Sequence, residues 1–115
     1  MNVVVRQKDG VNVLDLEGKL TIGEGDVLLR DTIESLLKLG ETKILLNMER
    51  IGYMDSSGVG ELMSCFNTTN EAGGQLKLLN LSSKIKDVLQ ITQLLALFDY
   101  HTDESKAVES FNTPS

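Results

Sequence analysis

One histidine, one cysteine and no long apolar run narrow this 115-residue chain before any motif is read. A lone cysteine, Cys65, cannot form an internal disulfide, which fits a reducing cytoplasm. It lies between Met63 and Phe66 with no basic residue close in sequence, so it reads as packing rather than as a reactive thiol. With His101 the sole histidine, no His/Cys cluster offers metal-ligand spacing, and no cofactor is implied. The longest apolar run is a few residues, too short to span a bilayer, and no charged-then-apolar leader opens the chain. Cations are the minority: 11 Lys and Arg stand against 17 Asp and Glu, for a net charge of −6. That balance lacks the clustered cations that hold nucleic-acid phosphates or anionic lipid. What is present is ordinary apolar content, 41 %, which suffices for one modest core and one domain over residues 1–115.

Val3, Val4 and Val5 predict a first strand, and Val11, Val13, Leu14 and Leu16 a second. The short Lys8-Asp9-Gly10 link makes the pair a hairpin. From about Gly25 the period changes: Leu29, Ile33, Leu36 and Leu37 share one helical face, and Gly40 ends the helix. Ile44-Leu45-Leu46-Asn47-Met48 is β-favouring and almost wholly apolar, the pattern of a central parallel strand covered on both faces. The segment from Met48 through Gly58 then reads as a turn. Val59, Leu62, Met63 and Phe66 predict a second helix, ended by Gly73-Gly74. Leu76, Leu78, Leu79 and Leu81 predict a strand, and Ser82 or Ser83 caps a third helix carrying Ile85, Val88 and Leu89. The stretch from Ile91 to Phe98 either extends that helix or begins a last short strand with Leu97, Phe98 and Tyr100. Glu104, Ala107, Val108 and Phe111 predict a final helix, and the tail Asn112-Thr113-Pro114-Ser115 is expected to fray. The order β-β-α-β-α-β-α-β-α implies an α/β domain with a mixed sheet.

Asp55-Ser56-Ser57-Gly58 stands out. Two hydroxyls lie at a helix start beside one carboxylate, with no histidine or lysine arranged to make either a nucleophile. In α/β folds, loops at strand C-termini receive ligands and partners. Ser56 or Ser57 at the N-cap is worth about 1 kcal/mol, which explains one serine structurally. Gly58 and Gly60 remain unexplained, because each costs about 1 kcal/mol against alanine in a helix interior. Either a partner approaches the backbone closely, or helix–strand packing demands glycine there. A phosphate on this turn adds a charge of about −1.5 to −2, which the helix dipole tolerates and a docked partner does not. The turn thus reads as a charge switch at an interface.

Catalytic readings fit poorly. A nucleophile elbow requires Gly-x-Ser-x-Gly, and Met54 and Asp55 stand where the first glycine belongs. A phosphate-cradling loop requires a lysine that does not follow Gly52 to Gly58, and Glu24 separates Gly23 from Gly25. Glu17, Asp55 and Glu61 are scattered, and His101 reads as a strand-end or surface residue. The chain is not expected to be an enzyme.

These residues resemble the STAS domain family, and within it the free-standing bacterial anti-sigma-factor antagonists. The match runs from Val3 to about Phe111. It rests on the apolar strand 44–48, on Tyr53-Met54-Asp55-Ser56-Ser57-Gly58-Val59-Gly60, and on Gly73-Gly74 before the next strand. The resemblance implies a mixed sheet of four or five strands with about four helices mainly on one face. It also implies a cycle. The unphosphorylated antagonist binds an anti-sigma factor, usually a serine kinase of the histidine-kinase-like ATPase type, and so frees a sigma factor. The kinase phosphorylates the residue matching Ser56, binding is lost, and a PP2C-type phosphatase resets the protein. Asp55 matches the acidic residue before the phosphoacceptor, and Ser57, Gly58 and Val59 match the helix start at the partner interface. One departure concerns the rim. Many antagonists read Gly-x-Leu-Asp at the exit of strand two, where this chain has Gly18-Lys19-Leu20-Thr21. Thr21 is therefore a partner-binding position and a second candidate acceptor, against the plainer reading of an ordinary loop threonine. The alternative function is a STAS subunit of a stress-signalling scaffold or of a lipid-transport ATPase complex.

Overall fold

The computed structural model describes residues 1–112. Its first two strands, β1 (Asn2–Lys8) and β2 (Val11–Leu20), form the expected antiparallel hairpin, with Lys8 paired to Val11. Asp9 and Gly10 between them both take positive φ, 52° and 80°, as a two-residue turn matched to strand twist requires. Then follow α1 (Asp26–Lys38), β3 (Lys43–Met54), α2 (Ser56–Glu71), β4 (Gln75–Leu79), α3 (Ser83–Ile91), a 3₁₀ turn (Leu95–Leu97), β5 (Tyr100–His101) and α4 (Glu104–Asn112). The sheet order is β1-β2-β3-β4-β5, with β2 to β5 mutually parallel. The expected central strand is thus central and parallel to both neighbours.

Alternation along the strands divides the core. Leu14, Leu16, Ile44, Leu46, Met48, Leu76 and Leu78 join residues of α1, α2 and α3 in the main cluster. Val11, Val13, Leu45 and Leu79 face the other way and are covered by Ala107, Val108 and Phe111 of α4. Three helices therefore cover one face and one covers part of the other. Arg6 holds α4 to the hairpin by bonding both Asp15 and Glu104.

The sequence reading needs several corrections. β3 continues six residues past Met48 and ends at Met54, so Asp55 alone separates it from α2. Charged Glu49 and Arg50 hide this extension because they are exposed. Irregularities in register near Asp15/Glu17 and Gly18/Lys19 let β2 keep pace as far as Leu20. β4 stops at Leu79 rather than Leu81, because Asn80 turns left-handed at φ 57° and donates to Asn47 Oδ1 at 3.2 Å. The stretch 91–98 follows neither expected course: α3 ends at Ile91, Gln93 takes φ 61°, and a 3₁₀ turn intervenes before a strand of only Tyr100 and His101. Asn112 closes α4 and donates to the Asp9 carbonyl at 3.0 Å, so it does not fray; residues 113–115 lie outside the described residues.

Candidate functional site

Leu20 and Met54 pair across β2 and β3, so the two strands end at one level. Beyond Leu20, Thr21 and Glu24 exchange backbone hydrogen bonds of 2.9 and 3.1 Å, which folds the loop 21–25 tightly against the rim. Beyond Met54 comes the serine turn. Met54 is 3 % exposed and anchors that turn in the core.

The N-cap of α2 is Asp55, not either serine. Its backbone is extended (φ −100°, ψ −173°), and its Oδ1 accepts from the Gly58 amide at 2.9 Å. Capping by Asp and Ser is about equally favourable, so composition alone did not assign the cap. Ser56 and Ser57 become the first two helical residues. Both are exposed, and neither hydroxyl has a hydrogen-bond partner among the described residues. Their backbone amides belong to the unsatisfied first turn, the positive end of the helix dipole.

The two glycines have different causes. A Cβ on Gly58 would overlap the Leu20 carbonyl oxygen and come within 2.8 Å of Met54 Cγ. Helix–strand packing therefore requires glycine there, and the same contact sets the Thr21 loop beside the serine turn. Gly60 is exposed, and a Cβ built on it meets no atom within 4 Å, so nothing within the chain requires it.

Val59 is 5 % exposed and packs in the main core. Val59, expected from the resemblance to lie at the partner interface, is therefore a core residue beneath it. Gly58 is buried as well, whereas Ser57 and the half-buried Asp55 and Thr21 reach the rim. Ile22 follows Thr21 and Tyr53 precedes the serine turn, and these two, with Val27 and Leu28 at the start of α1, are large and more than 40 % exposed.

Sequence reasoning missed the link between α1 and α2. Glu61, 8 % exposed, accepts from Arg30 Nε at 2.7 Å and Nη2 at 3.4 Å. The pair raises the Arg30 pKa and satisfies a carboxylate that burial would otherwise penalise. Their separation of 31 positions left no local signal. Cys65 is buried on the same helix, and its thiol is pushed up to about 12, chiefly by burial, which suits packing. His101 sits on β5, 3.4 Å from Asp99, with β4 between it and β3. A concavity of about 550 Å³ lies away from the serine turn, among Arg6, Asp15, Asn47 and Arg50. Its cations are already paired, Arg6 with Asp15 and Glu104, Arg50 with Glu17. No helix among the described residues is long and apolar enough to cross a membrane.

Known proteins share this architecture. The family model of the STAS domain matches residues 2–107. An anti-sigma-B factor antagonist of Bacillus subtilis is 28 % identical over 109 residues, covering 95 % of this chain and 98 % of the relative. The crystal structure of a chain from Thermotoga maritima, described as an anti-sigma factor antagonist, superposes with a TM-score of 0.88 at 22 % identity, covering 96 % of this chain and 95 % of that one. The Bacillus cell fate determinant SpoIIAA, solved in its phosphorylated form, gives a TM-score of 0.71 at 26 % identity, covering 95 % of this chain and 99 % of that one.

Proposed function

This chain belongs to the STAS domain family, and from that membership and its serine rim we propose that it is an anti-sigma-factor antagonist switched off by phosphorylation of Ser56. The observation that carries the proposal is the division of labour at the turn. Asp55 takes the capping bond, and the Ser56 hydroxyl is left exposed and unbonded just past the C-terminal end of the central strand. The similarity to a Bacillus subtilis protein named for antagonising an anti-sigma factor supports the partner class. The likeness to a chain solved in a phosphorylated form supports the switch.

In the unmodified state the rim docks the anti-sigma factor, which is itself a serine kinase, and the sigma factor is released. Asp55, Ser57 and Thr21 contribute at the interface, while Gly58 and Val59 fix the helix start from beneath. Gly60 leaves that face of α2 flat, so the partner can approach the backbone. The kinase then transfers the terminal phosphoryl group of ATP to Ser56 Oγ, yielding ADP and releasing the hydroxyl proton. The added charge of about −1.5 to −2 sits at the positive end of α2, so the fold tolerates it. A partner packed over the turn would have to desolvate that charge beside Asp55, so binding is lost instead. A PP2C-type phosphatase hydrolyses the ester and restores the hydroxyl. The ATP-dependent cycle places the protein in the cytoplasm.

The test is phosphoryl transfer. The purified chain is incubated with ATP and serine kinases of the histidine-kinase-like ATPase type from its own genome, and phosphate is located by mass spectrometry. Phosphate on Ser56, absent from Ser56→Ala, is the expected outcome. No transfer from any of them would sink the proposal.

A further inference from the structure

The rim carries a charge pattern that bears on which partner it accepts. Lys19 of β2 stands opposite Tyr53 of β3 in the parallel register. On the other side of Tyr53, Lys84 at the start of α3 holds its ammonium 5.4 Å from the ring centroid. The three side chains therefore form a row, cation–aromatic–cation, across the ends of β2, β3 and α3. Tyr53 lies two residues before Asp55, so the row borders the serine turn. Lys19 and Lys84 are exposed, and Tyr53 is 44 % exposed.

Five of the eleven lysines and arginines are engaged elsewhere. Arg6, Lys8, Arg30, Arg50 and Lys77 each lie within ion-pair distance of a carboxylate. Among the described residues, no carboxylate lies that close to Lys19 or Lys84, not even Asp87, one turn along α3 from Lys84. Asp55 is committed to the Gly58 amide. On a protein of net charge −6, one ammonium group over the ring and a second on the neighbouring strand, neither within ion-pair distance of a carboxylate, concentrate positive charge along this row. Such a concentration steers encounter and rejects partners of the wrong charge. Stacking over the ring also restrains Lys84, which lowers the entropy lost when it is bound. Past Thr21, the loop and the start of α1 expose Ile22 at 74 %, Val27 at 52 % and Leu28 at 42 %, interspersed with Glu24 and Asp26.

We infer that Lys19, Tyr53 and Lys84 select the partner by docking a carboxylate-bearing segment of the kinase that modifies Ser56. This deepens the function proposed above and rests on it. The partner surface that fits carries acidic side chains over the lysine row and an apolar side chain over Ile22, Val27 and Leu28. Thr21 itself adds no negative charge beside the lysine row.

The experiment uses the full chain and the kinase that phosphorylates Ser56 in the assay above. Rates are measured at low and high salt for Lys19→Glu, Lys84→Glu and the milder Lys84→Gln. Lys106→Glu is the control, because it makes the same change in net charge at an exposed site on α4. Each reversal at the rim is expected to lower kcat/KM about tenfold at low salt, with the deficit shrinking as salt screens it. Lys84→Gln should fall between, and Lys106→Glu should match the unmodified chain. Thermal melts check that each variant folds. Wild-type rates in both rim reversals, or an equal loss in Lys106→Glu, would overturn the lysine row while leaving the switch standing. A chain that no kinase phosphorylates on Ser56 would instead remove the switch, and the row with it.

Discussion

Both α2 and α3 follow a parallel strand of the sheet, and both start with a Ser-Ser pair. In α3 the first serine, Ser82, is the cap, and its Oγ accepts from the Ile85 amide at 3.2 Å. In α2 the residue before the pair, Asp55, does that work on the Gly58 amide at 2.9 Å. The geometry is otherwise parallel: an extended cap and a bond to the amide three residues on. The difference is a shift of one position in where the acceptor comes from. It turns a structural serine into two idle ones. A hydroxyl that caps a helix is held by the fold, and one relieved of that task is free to be modified. The third helical residue differs too. Ile85 fills the core, whereas Gly58 leaves room for the Leu20 carbonyl.

The sharpest way to break this comparison is to exchange the serines' fates. Ser56→Ala is expected to abolish phosphorylation entirely while changing stability by no more than about 0.5 kcal/mol, since its hydroxyl bonds nothing. Ser82→Ala is expected to leave phosphorylation intact and to lower stability by about 1 kcal/mol. Mass spectrometry and urea denaturation of both variants read the two effects. A Ser56→Ala chain that loses as much stability as Ser82→Ala would mean that Ser56 is a structural serine after all.

How far this contrast was legible from sequence depends on the range of the contacts that create it. Apolar periodicity placed the sheet, the helices and the serine turn, because those features are local. The hairpin was equally plain, since Asp9-Gly10 suits left-handed backbone. The identity of the α2 cap was not, because aspartate and serine cap with similar strength and stand side by side. The reason for Gly58 was hidden for another cause. Leu20 lies 38 residues earlier, by subtraction of the two positions, and only the parallel register brings its carbonyl to the helix. The end of β3 was masked because Glu49 and Arg50 are exposed and break the apolar run.

Gly58→Ala probes the packing half of the difference. Alanine is the better helix former by about 1 kcal/mol, but the new methyl collides with a backbone carbonyl that has little freedom to move. Overpacking of this kind costs about 1–3 kcal/mol, so the clash should win and the midpoint of urea denaturation should fall. A rise in that midpoint would show that the rim relaxes around the methyl, and that the close approach of β2 to α2 is not required.

Removal of the acid cap tests whether Asp55 truly spares the serines. Asp55→Ala is expected to cost about 1 kcal/mol, as Ser82→Ala does on the other helix. Asp55→Asn keeps an oxygen in the acceptor position and should recover most of that loss. If the cap passes to Ser56 when Asp55 is gone, its hydroxyl becomes engaged, and the rate of phosphorylation should fall further in Asp55→Ala than in Asp55→Asn. Equal rates in the two variants would separate capping from reactivity.

Gly60→Ala is the smallest and most diagnostic change, because fold and function should move in opposite directions. The glycine is exposed, and a methyl there meets no atom within 4 Å. Its helical backbone therefore gains about 1 kcal/mol from alanine, by reducing the freedom of the unfolded chain. No contact inside the protein opposes that gain, so the fold itself gives no reason for glycine there. A partner packed against the backbone of α2 supplies one: the methyl would hold it off and weaken binding several-fold. Raised stability with weaker binding to the kinase is the expected pair of results. Raised stability with unchanged binding would place the interface off this turn of α2 and confine it to the serine turn and the rim beside it.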